Sequence, residues 1–186
     1  MLRILKNKGL TLIEILVVIV IIILLTAVTF INYGAIQDNL NLNMAANKLA
    51  QDMRKVQEMT MSAEEWDDEV PEGGYGISFN INDQGQYILF ADKGPLPDRD
   101  YTDDNEKIKT IEFEDGVEIC KLEIKAGQQY KEKTRIQVVF EPPDPVIYIN
   151  GDNELGSEAK ITICLTRDIA RTKVIKVNAV GLITIE

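Results

Sequence analysis

Histidine is absent from this 186-residue chain, which removes the general base of the Ser-His-Asp and Cys-His nucleophilic arrangements. Ser62, Ser78 and Ser157 stand without motif context. Cysteine is nearly absent as well: Cys120 and Cys164 alone fall short of the usual four zinc ligands, and no imidazole completes a set. Basic charge is in short supply, with Lys+Arg 20 against Asp+Glu 30 and a formal net charge of -10. Arg3, Lys6 and Lys8 all precede the first apolar run, and after residue 31 there are 17 basic and 29 acidic residues, net -12. Phosphate backbones are bound by clustered Lys and Arg; none occurs past the start, so nucleic acid is not an expected partner. The glycines of Glu72-Gly73-Gly74-Tyr75-Gly76 lead into a strand-like run and not a helix, which excludes a phosphate-binding loop. An enzyme is left without residues to carry its chemistry.

What the chain does have is one long apolar run. Residues 15–31 contain no polar residue except Thr26 and Thr29. As a helix, residues 10–31 are long enough to cross about 30 Å of hydrocarbon, which takes roughly 20 residues. A secretory signal has an apolar core of about 7–15 residues followed by a small-residue cut site; this run is longer and ends Leu25-Thr26-Ala27-Val28-Thr29-Phe30. A plain anchor fits the length but gives no reason for Glu14, whose insertion into lipid costs about 2.5 kcal/mol or more without a partner. Basic residues stay on the cytoplasmic side, so Arg3, Lys6 and Lys8 place the acidic remainder outside the cytoplasmic membrane.

The stretch Lys8-Gly9-Leu10-Thr11-Leu12-Ile13-Glu14 resembles the start of type IV prepilins, which carry a short basic leader, a Gly cut by a prepilin peptidase, and a Thr-Leu-Ile/Val-Glu opening. The resemblance implies cleavage after Gly9, methylation of the new amino terminus at Leu10, and a role for Glu14 in assembly with the amino terminus of a neighbouring subunit. The usual Phe at the new terminus is Leu here. Removing one member of a buried charge pair typically costs about 3–5 kcal/mol, enough to decide assembly. The partners so implied are a prepilin peptidase, other pilins or pseudopilins, the inner-membrane assembly platform and the membrane itself.

Residues 1–9 then read as leader, 10–31 as the membrane or filament-core half of a long helix, 32–61 as its amphipathic half, and 62–186 as an extracytoplasmic domain. In the second half Leu42, Ala46, Leu49, Met53, Val56 and Thr60 recur at helical spacing, a stripe that predicts packing on the domain's own sheet. The acidic, Pro- and Gly-bearing residues 62–74 end the helix. Strand-like runs follow at 75–81, 86–92, 107–113, 117–125, 134–140, 146–150, 159–166, 172–178 and 182–185, the first two flanking the turn Asn82-Asp83-Gln84-Gly85. A helix followed by strands predicts an α+β fold, a long helix packed on an antiparallel sheet. In Ala50-Gln51-Asp52-Met53-Arg54-Lys55-Val56-Gln57, Tyr75-Gly76-Ile77, Tyr87-Ile88-Leu89-Phe90-Ala91-Asp92 and the closing hairpin at residues 174–183, the chain is similar to GspH/FimT-like minor pseudopilins. Some of that branch bind DNA through a carboxyl-terminal Gly-Arg motif; Gly181 is followed by Leu182, so that function does not carry over.

The two cysteines lie in strand-like runs and in the external part, where a disulfide persists; they form a bridge if the fold brings their Cα atoms within about 7 Å, and are otherwise half-buried thiols. The oxygen-rich residues 92–106 admit three readings: a solvated loop, a calcium site, or a partner-binding loop. The calcium candidates are Asp92, Asp98, Asp100 and Asp104, against which Lys93 and Arg99 would work. No cofactor is otherwise expected. The rival to a filament subunit is a single-pass anchored extracytoplasmic binding module that never polymerises.

Overall fold

The computed structural model describes residues 11–93, 98–142, 146–151 and 157–186, with the side chains of 28–33, 35 and 126 left aside. One helix, α1 (Leu12–Met61), is followed by ten strands: β1 (Tyr75–Asn80), β2 (Gln86–Ala91), β3 (Lys107–Glu112), β4 (Val117–Ala126), β5 (Gln129–Glu132), β6 (Arg135–Glu141), β7 (Val146–Ile149), β8 (Glu158–Leu165), β9 (Asp168–Asn178) and β10 (Ile183–Ile185). The fold is α+β with antiparallel pairing throughout. The sequence suggests a single sheet; the strands form two five-stranded sheets, ordered β3-β2-β1-β6-β7 and β10-β9-β8-β4-β5. Compact packing divides the chain within α1, into a unit ending at Asn39 and a unit running from Leu40 to Glu186.

The second unit begins inside the helix because the helix's amphipathic half belongs to the core. Leu42, Ala46, Leu49, Met53, Val56 and Thr60 are all buried, joined by Ala45 and Ala50. All but Thr60 share one apolar cluster with Ile77, Phe79, Val138 and Phe140 of the first sheet and Ile119, Leu122, Ile161, Ile163 and Val177 of the second. Fully burying a side chain of that size contributes roughly 1.5–3 kcal/mol. The last turn is tied down by Thr60, whose hydroxyl donates to Phe140 O at 3.1 Å. Gly74 shows how closely the chain turns into β1: its φ is 81°, and a Cβ there would lie 1.9 Å from Phe140 O.

Strand β4 carries the register device of the second sheet. Ile119 faces Ile163 and Lys121 faces Thr162, leaving Cys120 as the extra residue of a β-bulge. The inward set on β4 is therefore Val117, Ile119 and Leu122, a three-residue step that keeps Leu122 opposite Ile161 in the core. A one-residue slip would turn the remaining side chains to the wrong face. β5 is an exposed edge strand that alternation does not reveal; pairing with β4 and the contact of Tyr130 Oη with Glu158 at 2.6 Å hold it.

Candidate functional site

The described chain starts at Thr11, so Gly9 and Leu10, the residues expected to be cut and methylated, lie outside the described residues. The helix start that follows is built as a capping box. Thr11 Oγ1 accepts from Glu14 N at 3.3 Å, and Glu14 Oε2 accepts from Thr11 N at 3.4 Å. Thr11 and Glu14 stand three residues apart, the spacing at which an N-cap hydroxyl and an N3 carboxylate satisfy each other's backbone donors. The carboxylate therefore has a local partner at the first turn, where the helix dipole also favours negative charge.

Behind it the helix is apolar on every side. Large side chains from Ile15 to Leu25 are each about half exposed, for example Ile15 50% and Leu25 66%. A helix hydrophobic all round is normally buried in a core or in lipid. The only polar side chain among residues 15–27, Thr26, folds its hydroxyl back onto Ile22 O at 2.7 Å and so presents no unsatisfied donor. Among the described residues no helix is long and apolar enough to cross a membrane. The stretch with described side chains stops at Ala27, short of the roughly 20 residues a span requires. A family model matches this part of the chain.

The chain carries the prokaryotic N-terminal methylation motif. The match covers residues 4–30, taking in the expected cut site, the Thr11–Glu14 box and most of the apolar run. This methylation motif is typical of type IV pilins and pseudopilins, which are structural proteins. No curated protein and no solved structure matches the chain.

Beyond the methylation motif, the structure brings together two of the four calcium candidates. Asp92, Asp98 and Glu106 place carboxylate oxygens within 4.8 Å of one another. Asp92 is buried against Gly73, where a Cβ would sit 2.1 Å from its Oδ2, and it accepts from Arg99 N at 2.9 Å. Burial, with Asp98 and Glu106 adding their charge, pushes the Asp92 carboxyl up to about 6, against the pull of the Arg99 amide. Asp100 and Asp104 do not join. Asp100 contributes its backbone N–H to Asp98 Oδ1 at 3.0 Å, while Asp104 accepts from Lys107 Nζ at 2.7 Å and Tyr101 Oη at 2.8 Å. Lys107, then Tyr101, holds the Asp104 carboxyl below its usual range. Glu106 takes the place expected of them; it is buried and accepts from Thr102 N at 2.9 Å.

Three carboxylates fall short of the six to eight oxygens of a calcium site. Lys93 and Arg99 are turned elsewhere: Lys93 pairs with Asp67 at 2.7 Å over the Trp66 ring, and Arg99 pairs with Glu141 at 2.9 Å over Tyr148. The described residues 98–106 of this loop are tethered to the first sheet, while Asp98, Asp100 and residues 102–105 remain exposed. Tyr101 N donates to Gln137 Oε1 at 2.9 Å, Arg135 donates to Tyr101 O, and the Tyr101 ring lies 5.6 Å from Phe90. The loop covers the outer face of the first sheet.

Cys120 and Cys164 are joined as a disulfide with Cα atoms 5.8 Å apart. Cys120 is the bulge residue of β4, and Cys164 faces Glu118 across the pair, so both lie on the side of the sheet away from Ile119 and Ile163. Their sulfurs are thereby unavailable as thiolate ligands to a metal ion beside the Glu118 carboxylate.

Proposed function

We propose that the chain is a prepilin-type pseudopilin, a non-enzymatic structural subunit of a type II secretion pseudopilus or type IV pilus-like filament, of the GspH/FimT-like minor kind. In this reading prepilin peptidase cuts after Gly9 and the Leu10 amino group is methylated. Residues 10–31 cross the inner membrane with the leader cytoplasmic and residues 62–186 outside, and the assembly platform draws the subunit into the filament beside other pilins. The observation that carries the reading is the helix start: a lone carboxylate, Glu14, at the head of a helix whose described side chains are apolar on every side as far as Ala27. Such a surface is stable only against lipid or other apolar helices. The carboxylate gives one end of it a polar handle that a neighbour's cationic amino terminus can satisfy.

The test is the mass and amino-terminal sequence of the mature protein from its native host. The expected result is a chain beginning at Leu10 and carrying one added methyl group. An intact Met1 would overturn the reading and leave the anchored binding module.

A further inference from the structure

Two contacts fix the ends of β9 along the helix. Where β8 turns into β9, Thr166 N donates to Gly116 O at 2.9 Å, and next to it the Asn41 side-chain amide donates to Asp115 O at 3.1 Å. Past the far end of β9, a Cβ on Gly181 would lie 3.0 Å from Gln57 Nε2. The β8–β9 turn therefore lies at the Asn41 end of the second unit. Asn41 follows residue 31, where the proposed membrane segment ends, by only about ten residues, a helical rise of about 15 Å.

The turn carries Arg167, Arg171 and Lys173 against one acid, Asp168, which pairs with Arg171 at 3.0 Å. Among the described residues neither Arg167 nor Lys173 is within ion-pair distance of an acid. Cys164 faces Thr172 and Leu165 faces Asp168, so Ile169, Ala170 and Arg171 have no facing residues and form a bulge. The bulge puts Ile169 outside the core, where it is 71% exposed. The base of the hairpin is fixed, because Cys164 is bonded to Cys120 on β4. The neighbouring β3–β4 turn adds two acids: Glu114, held by Lys48 at 3.6 Å, and Asp115, which is exposed.

We propose that the β8–β9 turn docks on the anionic lipid surface around the subunit's own membrane segment, with Arg167 and Lys173 among the phosphates and Ile169 in the headgroup layer. An exposed apolar residue flanked by basic ones is the combination that binds at a bilayer interface, through buried apolar area plus attraction to anionic lipid. Each basic side chain near such a surface is worth about fivefold in binding. Two of them, opposed by Asp115, do not hold a free domain. They hold a tethered one, because the chain's own anchor keeps the turn within reach and makes the contact intramolecular. The domain of a subunit awaiting assembly is thus held against the bilayer, and drawing the subunit into a filament breaks the contact. The inference rests on the membrane reading of residues 10–31 and adds to it a second, separable contact.

The test uses the full-length chain in vesicles containing phosphatidylglycerol and a headgroup spin-labelled lipid, with an environment-sensitive maleimide fluorophore on Ala170→Cys. Cys120 and Cys164, being bonded, do not react. Quenching of this probe is expected, with none for the same probe on Glu65→Cys, beyond the other end of the helix at Met61. The ratio of docked to free turns should fall about tenfold when Arg167→Gln and Lys173→Gln are added. It should fall likewise for the parent turn at about 1 M salt, where the screening length shortens to about 3 Å. Equal quenching in vesicles of phosphatidylcholine, or quenching that neither the substitutions nor salt reduces, would overturn the proposal. So would absence of quenching in chains that float with the vesicles, a result that leaves the membrane reading standing. Chains that do not float refute the membrane reading itself, and the docking with it. If the substitutions abolish binding of duplex DNA and leave the quenching unchanged, the turn is a nucleic-acid site and the lipid proposal falls.

Discussion

Substitution of Glu14 separates charge from capping, because the geometry at the helix start treats Gln and Leu differently. Gln at this position keeps the reciprocal box with Thr11, whose present bonds are 3.3 and 3.4 Å, since amide and carboxylate oxygens serve equally as N3 acceptors. Glu14→Gln therefore leaves the helix start intact and removes only the negative charge. Glu14→Leu also removes the acceptor of the Thr11 N–H, while Thr11 Oγ1 still accepts from the residue 14 amide, and it gains about 2.5–3.5 kcal/mol on insertion. If the carboxylate meets the amino terminus of a neighbouring subunit inside the filament, either substitution leaves that cation buried and unpaired, at a cost of about 3–5 kcal/mol. At 1.4 kcal/mol per factor of ten, that is roughly two to three and a half orders of magnitude in the assembly equilibrium. Both variants are expected in the membrane and cut after Gly9, with Glu14→Leu inserting at least as well as the parent. Both should lose crosslinking to companion pilins. The assay is amino-terminal mass together with crosslinking in the native host, and with secretion or pilus output in a strain where deletion of the gene abolishes it. Unchanged crosslinking and output for both variants would refute the reasoning, and Glu14 would then be a helix cap and nothing more.

Gly9→Val should block maturation, because only a very small residue suits the peptidase subsite, and a normal-sized mature protein would contradict this. Removal of residues 1–30 should leave a soluble folded α+β domain, since the buried stripe from Leu42 to Thr60 stays with its sheets; an unfolded circular dichroism spectrum would count against it. Asp92→Asn should stabilise the protein at pH 8 and leave it unchanged at pH 4. The folded Asp92 carboxyl titrates near 6, above its unfolded value, so the stability it contributes is present when it is protonated and is lost as pH rises through 4 to 6. The gain at pH 8 is about 1–3 kcal/mol, read as a shift in urea midpoint, and equal midpoints at both pH values would refute it. Reducing the Cys120–Cys164 bridge, or replacing both residues by Ser, should cost about 4 kcal/mol for a sequence separation of 44; an unchanged midpoint would show that the link adds nothing.

Residue pattern alone determined the elements whose signals are local. The stripe at Leu42, Ala46, Leu49, Met53, Val56 and Thr60 is a matter of helical spacing, and every member is buried. The helix ends at Met61, ahead of the expected acidic turn, and the β1–β2 hairpin forms around residues 82–85. The motif at residues 4–30 is likewise local, since it is one continuous segment of sequence. Tertiary structure decided what depends on partners distant in sequence. Alternation states which side chains share a face but not which strand lies alongside, so the return of β6 beside β1 and of β8 beside β4, and with it the division into two sheets, came only from pairing. The same pairing set the bulge that seats Cys120 beside Cys164. Among the loop acids composition favoured Asp100 and Asp104 no less than Asp92. The selection of Asp92, Asp98 and Glu106 followed from the covering loop, anchored through Tyr101 on Gln137 and Phe90. Burial and the neighbouring charges of Asp98 and Glu106, which raise the Asp92 carboxyl, are properties of a folded surface and have no counterpart in residue order.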